Sequence, residues 1–198
     1  MINAKIRESI ACLETYHVEN TDAEIIVNAN ESNLPLPEEV FGELTDKMKQ
    51  FAFNRYPQMQ AEDLCTQLAT AFGLQAENVI IGNGSSELLR IACQVFGGSG
   101  QRIMVPVPSF SMYGVYVQLS DSEACPYYLD SEGYIDKQAL LQTAAEVKPS
   151  LLILCNPNNP TGNYNALADI TAIAAAVVCP VIIDEAYIEF AGQASVTG

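Results

Sequence analysis

From residue 78 onward the chain repeats one alternation, a short apolar run followed by a segment with apolar residues at helical spacing. "NVII" (78–81) precedes "SSELLRIACQVF", "RIMVPV" (102–107) precedes "SFSMYGVYVQL", and "CPYYL" (125–129) precedes "DKQALLQTAAEV". "LLILC" (151–155) then precedes "ALADITAIAAAVV", and "PVIID" (180–184) closes the series. Short, almost wholly apolar runs suit strands buried on both faces, and the helical segments serve as crossovers between parallel neighbours. The pattern predicts an α/β fold, a three-layer, mostly parallel sheet flanked by helices. Sheets of this kind bind ligands in the crevice beyond the carboxyl ends of their strands. The residues that follow each run therefore carry the functional information.

The region before residue 78 has a different texture. Residues 1–15 read as a first helix, and Ile25–Val27 as a short apolar stretch. Pro35 and Pro37 lead into a helix with Val40, Phe41, Leu44, Met48 and Phe51 at helical spacing. After "FNRYPQ", a second helix places Leu64, Leu68 and Phe72 on one face and stops at Gly73. With 49% apolar residues the chain can build a sizeable core. The net charge of −15 repels nucleic-acid backbones and anionic membranes, so neither is an expected partner. No apolar run approaches the roughly 20 residues that span a bilayer, and the mixed-charge start "MINAKIRESIACLETY" lacks a signal peptide's apolar middle, so a cytoplasmic location is expected. Six cysteines without a C-x-x-C pair, and a single histidine, His17, argue against a zinc site.

Four strand ends stand out. "GNGSSELL" (82–89) follows the first run: Gly82 and Gly84 permit a tight turn, and Ser85 and Ser86 open a helix whose free N–H groups suit a phosphate as well as they suit an ordinary serine cap. Neither a Walker loop nor a complete dinucleotide fingerprint is present. "PVPSFSMYG" places Phe110 and Tyr113 after the second run, where a ring can cover a flat ligand or simply fill core. "NPNNPTG" (156–162) follows the fourth run with three asparagines, and "DEAYIEF" (184–190) ends the fifth on an acid. A carboxylate closing a buried strand is costly without a cation or strong donors, so Asp184 implies a partner at the sheet's mouth.

Taken together and in this order, "NANE" (28–31), "NRYP" (54–57), "GNGSSELL", "NPNNPTG" and "DEAYIEF" resemble the fold-type I, class I/II pyridoxal-phosphate-dependent aminotransferases, and within them the histidinol-phosphate branch. The likeness runs from about Tyr16 to the last residue, and "NPNNPTG" followed by "DEAY" is its most specific part. It implies pyridoxal 5′-phosphate as cofactor, with the N–H groups of Gly84, Ser85 and Ser86 on its phosphate and Phe110 stacked on its ring. Asn159 and Tyr187 would donate to the ring's phenolic oxygen, Asp184 would pair with the ring nitrogen, and Tyr56 would reach the phosphate in a neighbouring subunit of a homodimer. Asp184, Tyr187 and Asn159 are the residues implied to serve catalysis. Tyr16, Asn30 and Glu31 match a segment near the substrate, an amino acid or amino phosphate. Asn156 and Asn158 are assigned to the turn. The implied reaction is transamination of histidinol phosphate with 2-oxoglutarate, in histidine biosynthesis.

The same resemblance divides the chain into an N-terminal arm with helices (1–57) and part of the large cofactor-binding domain (58–198). The family's Schiff-base lysine lies in an S-K motif beyond "DEAY". None of Lys5, Lys47, Lys49, Lys137 and Lys148 sits in such a motif. The small C-terminal domain and its substrate-binding arginines also find no match, so the expectation is a poorly active fragment with a gapped sheet or open sheet edges. Alternatives of the same chemistry are another amino-acid aminotransferase or a phosphate-ester decarboxylase; one of another class is a non-catalytic interaction fragment. A nucleotide-binding Rossmann protein lacks both of its signature loops.

Overall fold

The computed structural model describes residues 5–13, 22–27 and 30–197. Within them, four strands form one sheet: β1 (Arg102–Val107), β2 (Glu123–Tyr128), β3 (Leu151–Cys155) and β4 (Val181–Asp184). Their order is β2-β1-β3-β4, and every pairing is parallel. From β1 the chain moves first to one side, to β2, and then crosses to the other side for β3. The crevice between the carboxyl ends of β1 and β3 is thus the point where the winding reverses, the place where such sheets take ligands.

Alternation along the strands assigns each side chain to a layer. Ile103 and Val105 of β1, with Leu151, Ile153 and Cys155 of β3, pack under α4 (Gly84–Phe96) and α5 (Met112–Leu119), through Leu89, Cys93, Tyr113, Tyr116 and Val117. Met104, Leu152 and Leu154 point the opposite way, against α6 (Lys137–Val147) and α7 (Leu167–Ala176), meeting Leu140, Ala144, Ile170 and Ile173. β3 is covered on both faces and every residue in it is buried, as its uninterrupted apolar sequence requires. This is the three-layer parallel α/β sheet expected from the alternation.

One expected strand does not form. Val79–Ile81 joins no sheet; Ile80 is 77% exposed, and the segment passes directly into the turn before α4. A strand needs a neighbour to complete its ladder, and among the described residues none lies beside this one. The edge of β4 away from β3 is likewise unpaired among the described residues.

The earlier helices are a short α1 (Glu8–Ala11), α2 (Glu38–Gln50) and α3 (Glu62–Phe72). α1 is far shorter than the helix expected over 1–15, part of which lies outside the described residues. α3 ends at Gly73, whose φ of +67° stops the helix in the left-handed region. Its buried face differs from the expected stripe: Cys65 and Ala69 are buried while Leu64 and Phe72 are exposed, and the Cys65 thiol donates to the Val79 carbonyl at 3.6 Å. The small residues let that face turn inward.

Contacts divide the chain into two compact units. One comprises the described residues up to Leu13 with those from Asp63 onward; the other comprises the described residues between them. In the second unit α2 forms with the expected apolar stripe, but Val40, Phe41, Leu44, Met48 and Phe51 are all exposed. In the first, the Arg7 guanidinium donates to the Leu119 carbonyl at 3.1 Å and lies 3.6 Å from Asp121, fastening the N-terminal residues to the end of α5. Among the described residues no helix is long and apolar enough to cross a membrane.

Candidate active site

The register β3–β4 sets Cys155 beside Asp184, so the two strands finish together, and the ladder runs one step further through Asn156 N–H to the Asp184 carbonyl at 2.9 Å. Asn156 is 1% exposed and pairs reciprocally with Asn165: its Nδ2 donates to the Asn165 carbonyl at 3.1 Å, and its Oδ1 accepts the Asn165 N–H at 2.7 Å. This side chain imitates a strand and closes the loop base. Asn158 bridges the switch point, with Oδ1 accepting from Ser109 Oγ at 2.6 Å and Nδ2 donating to the Pro108 carbonyl at 3.2 Å and Thr161 Oγ1 at 3.0 Å. Gly162 completes the turn at φ +74°. Asn156 and Asn158 thus hold the loop that carries Asn159, and Asn159's own amide has no hydrogen-bond partner among the described residues.

Asp184 is 9% exposed. Its Oδ1 accepts the Ala186 N–H at 3.1 Å, and its Oδ2 accepts from the Tyr113 hydroxyl at 2.7 Å. Tyr113 reaches it from the start of α5, with its ring edge-on to Phe110 at 5.5 Å and 88°. Burial, and then the neighbouring Cys155 and Asp184, push the Tyr113 phenol far above its ordinary range, so it remains a donor. Burial also raises the Cys155 thiol, whose Sγ donates to the Pro157 carbonyl at 3.4 Å.

α4 contributes the opposite end. Gly84 has φ +72°, a conformation open to glycine, and its N–H turns back to the Gly82 carbonyl at 2.9 Å. Asn83 occupies the N-cap position but makes no side-chain cap bond. α6 begins differently, with the Asp136 carboxylate accepting the Ala139 N–H. The Ser85 and Ser86 N–H groups, in the first turn of α4, accordingly have no partner among the described residues. Ser85, Ser86, Phe110, Tyr113, Cys155, Asn159, Asp184, Ala186 and Tyr187 line one cleft of about 110 Å³. That is well below the roughly 300–1,000 Å³ of drug-sized ligand pockets. A larger groove of about 480 Å³ between the ends of α6 and α7 is lined by Leu141, Ala144, Val177 and similar residues, with few polar groups to orient a ligand.

Seven of the residues singled out in the sequence (Ser85, Ser86, Phe110, Tyr113, Asn159, Asp184 and Tyr187) therefore meet at this cleft, and Gly84 shapes it without lining it. Tyr56 is 96% exposed, and Asn30 and Glu31 are exposed; all three belong to the second unit. Tyr16 lies outside the described residues. Tyr113 was legible as a ring near Phe110, but nothing in the sequence pointed to its bond with an acid 71 residues away.

Residues 24–197 match the family model described as aminotransferase class I and II. Over 190 residues the chain is 37% identical to a histidinol-phosphate aminotransferase of Clostridium kluyveri, covering 96% of this chain and 54% of that protein. It is 35% identical to one of Caldanaerobacter subterraneus subsp. tengcongensis, over 98% of this chain and 55% of the relative. The chain thus spans about half the length of the curated relatives it matches. The fold superposes on the crystal structure of histidinol-phosphate aminotransferase from Sinorhizobium meliloti in complex with pyridoxal-5′-phosphate, with a TM-score of 0.75, 23% identity and coverage of 81% of this chain and 44% of that one.

Proposed function

The chain belongs to the class I and II aminotransferase family, and from that premise we propose that it supplies the cofactor-binding wall of a pyridoxal-phosphate-dependent aminotransferase acting on histidinol phosphate with 2-oxoglutarate. The observation that carries this reading is the donor set of the cleft. A buried carboxylate stands with the open N–H groups of Ser85 and Ser86, the free amide of Asn159, and the rings of Phe110 and Tyr187. That set matches, in chemical type, a cationic heteroaromatic ring bearing a phosphate and a phenolic oxygen.

Each residue's role follows from its chemistry. The N–H groups of Ser85 and Ser86 hold the phosphate with the dipole of α4 behind them, worth up to about 2 kcal/mol when partly buried. Phe110 covers one face of the ring. Asn159 and Tyr187 donate to the phenolic oxygen and set the ring's rotation. Asp184 would favour a proton on the ring nitrogen: opposite charges about 4 Å apart, at an effective dielectric near 20, attract by about 4 kcal/mol. When bound, pyridoxal phosphate would supply an electron-poor ring able to accept electrons from the substrate's α-carbon. Tyr56, fully exposed, fits a reach to the phosphate of a second copy in a homodimer, and Tyr16, Asn30 and Glu31 are assigned to the substrate side. By the same resemblance residues 1–57 are assigned to the arm and 58–198 to part of the large domain, whereas packing groups the described residues up to Leu13 with those from Asp63 onward. Six free cysteines fit a cytoplasmic location.

No lysine lines the cleft among the described residues. The chain is therefore expected to take up pyridoxal phosphate reversibly, and borohydride is expected not to fix the cofactor to any one lysine. Absence of any saturable uptake contradicts the reading; stoichiometric reduction onto Lys5, Lys47, Lys49, Lys137 or Lys148 contradicts the account of the anchor.

A further inference from the structure

We propose that Tyr113 is the positioning residue that orients the Asp184 carboxylate and so keeps the proton on the ring nitrogen; the proposal rests on the functional reading above. Three observations converge on it. Tyr113 is 1% exposed, and its hydroxyl donates at 2.7 Å to Asp184, a residue it reaches from a different element. The second carboxylate oxygen is held by the Ala186 N–H at 3.1 Å, so a donor on each oxygen fixes the carboxylate's plane. The Tyr113 ring also meets Phe110 edge-on at 5.5 Å, and both rings line the cleft. One side chain therefore braces the acid and the ring-covering aromatic together.

The chemistry gives this brace a consequence that packing alone lacks. A carboxylate with one donor can turn about its Cβ–Cγ bond; with two it cannot, and both donors share its negative charge. Stripped of the hydroxyl, the buried carboxylate either turns from the heterocycle or competes with it for the shared proton. A buried tyrosine that merely satisfied its hydroxyl in the core would affect folding but not the protonation of a bound ring.

The test loads the chain with pyridoxal 5′-phosphate labelled with ¹⁵N in the ring and reads the nitrogen's chemical shift at neutral pH. Wild type is expected at the protonated position. Tyr113→Phe is expected to move part of the way toward the unprotonated position, with about tenfold weaker binding, the loss of one hydrogen bond to a charged group. Site-specific 4-aminophenylalanine at 113, which can still donate, is expected to restore the wild-type shift. 4-Fluorophenylalanine, which fills the hydroxyl's volume without donating, replaces the phenylalanine variant if that fails to fold. A shift that stays at the wild-type position in the non-donating variants, while Asp184→Asn moves it, overturns the role of Tyr113 and leaves the functional reading standing. A wild-type chain that binds no pyridoxal phosphate overturns both.

Discussion

β3 and the segment Val79–Ile81 look alike on paper: each is a short apolar run delivering the chain to a polar loop at the cleft. In the fold they differ completely. β3 has β1 on one side and β4 on the other, helices on both faces, and no exposed residue; Ile80 is 77% exposed and pairs with nothing in a sheet. The consequence shows in what each run carries. Beyond β3, Asn156 and Asn158 are tied into the neighbouring loops, and at the end of the adjacent β4 Asp184 is fixed at both oxygens. Beyond Ile81, Gly82 and Asn83 stand without a ladder behind them, and local bonds such as Glu87 Oε2 accepting the Asn83 N–H at 2.6 Å shape the turn. Hydrophobicity proposes a strand; neighbours decide whether there is one.

The sharpest way to break this contrast is a pair of truncations. Ile153→Ala removes fully buried methyl groups and is expected to cost about 2–5 kcal/mol of folding stability. Ile80→Ala is expected to stay within about 0.5 kcal/mol, as an exposed site should. Urea denaturation of both variants decides it; an equal cost would mean that Val79–Ile81 packs as a strand in solution. A smaller effect tests the polar side of β3. Asn156→Ala leaves the Asn165 N–H and carbonyl buried without their partner and is expected to cost about 1–3 kcal/mol in the same assay.

The smallest effect depends on pH. Cys93, fully buried on α4, has its thiol pushed up from 9.0 to about 11 by burial. Its folded form holds the proton more tightly than the unfolded form, so its contribution is complete below pH 9 and is lost as pH rises toward about 11. Wild type should therefore lose stability across that window more steeply than Cys93→Ala, whose cavity cost does not vary with pH. Parallel slopes would show that the thiol does not titrate with folding.

How much of this was legible beforehand follows the same physics. The strands β1 to β4 and helices α2 to α7 could be read because period and apolar content decide them locally. Val79–Ile81 reads as a strand and forms none, because strand formation depends on a partner that a run of residues does not announce. At the cleft, the residue types at the strand ends pointed to Ser85, Ser86, Phe110, Asn159, Asp184 and Tyr187. The division of labour among the asparagines was only partly visible: the reciprocal bonds of Asn156 with Asn165 depend on the loop's path. Tyr113's bond to Asp184 was invisible, since it joins α5 to β4 across two intervening strands of sequence.

If Asp184 is the counter-ion of a bound heterocycle, the affinity of the chain for pyridoxal 5′-phosphate, measured by equilibrium dialysis with and without Asp184→Asn, tests it most directly. The substitution keeps the side chain's shape and an oxygen for Tyr113 while removing the charge. An affinity lower by about two to three orders of magnitude, the scale of losing one partner of a buried charge pair, is the predicted result. Equal affinity in the two proteins, both folded, would contradict it.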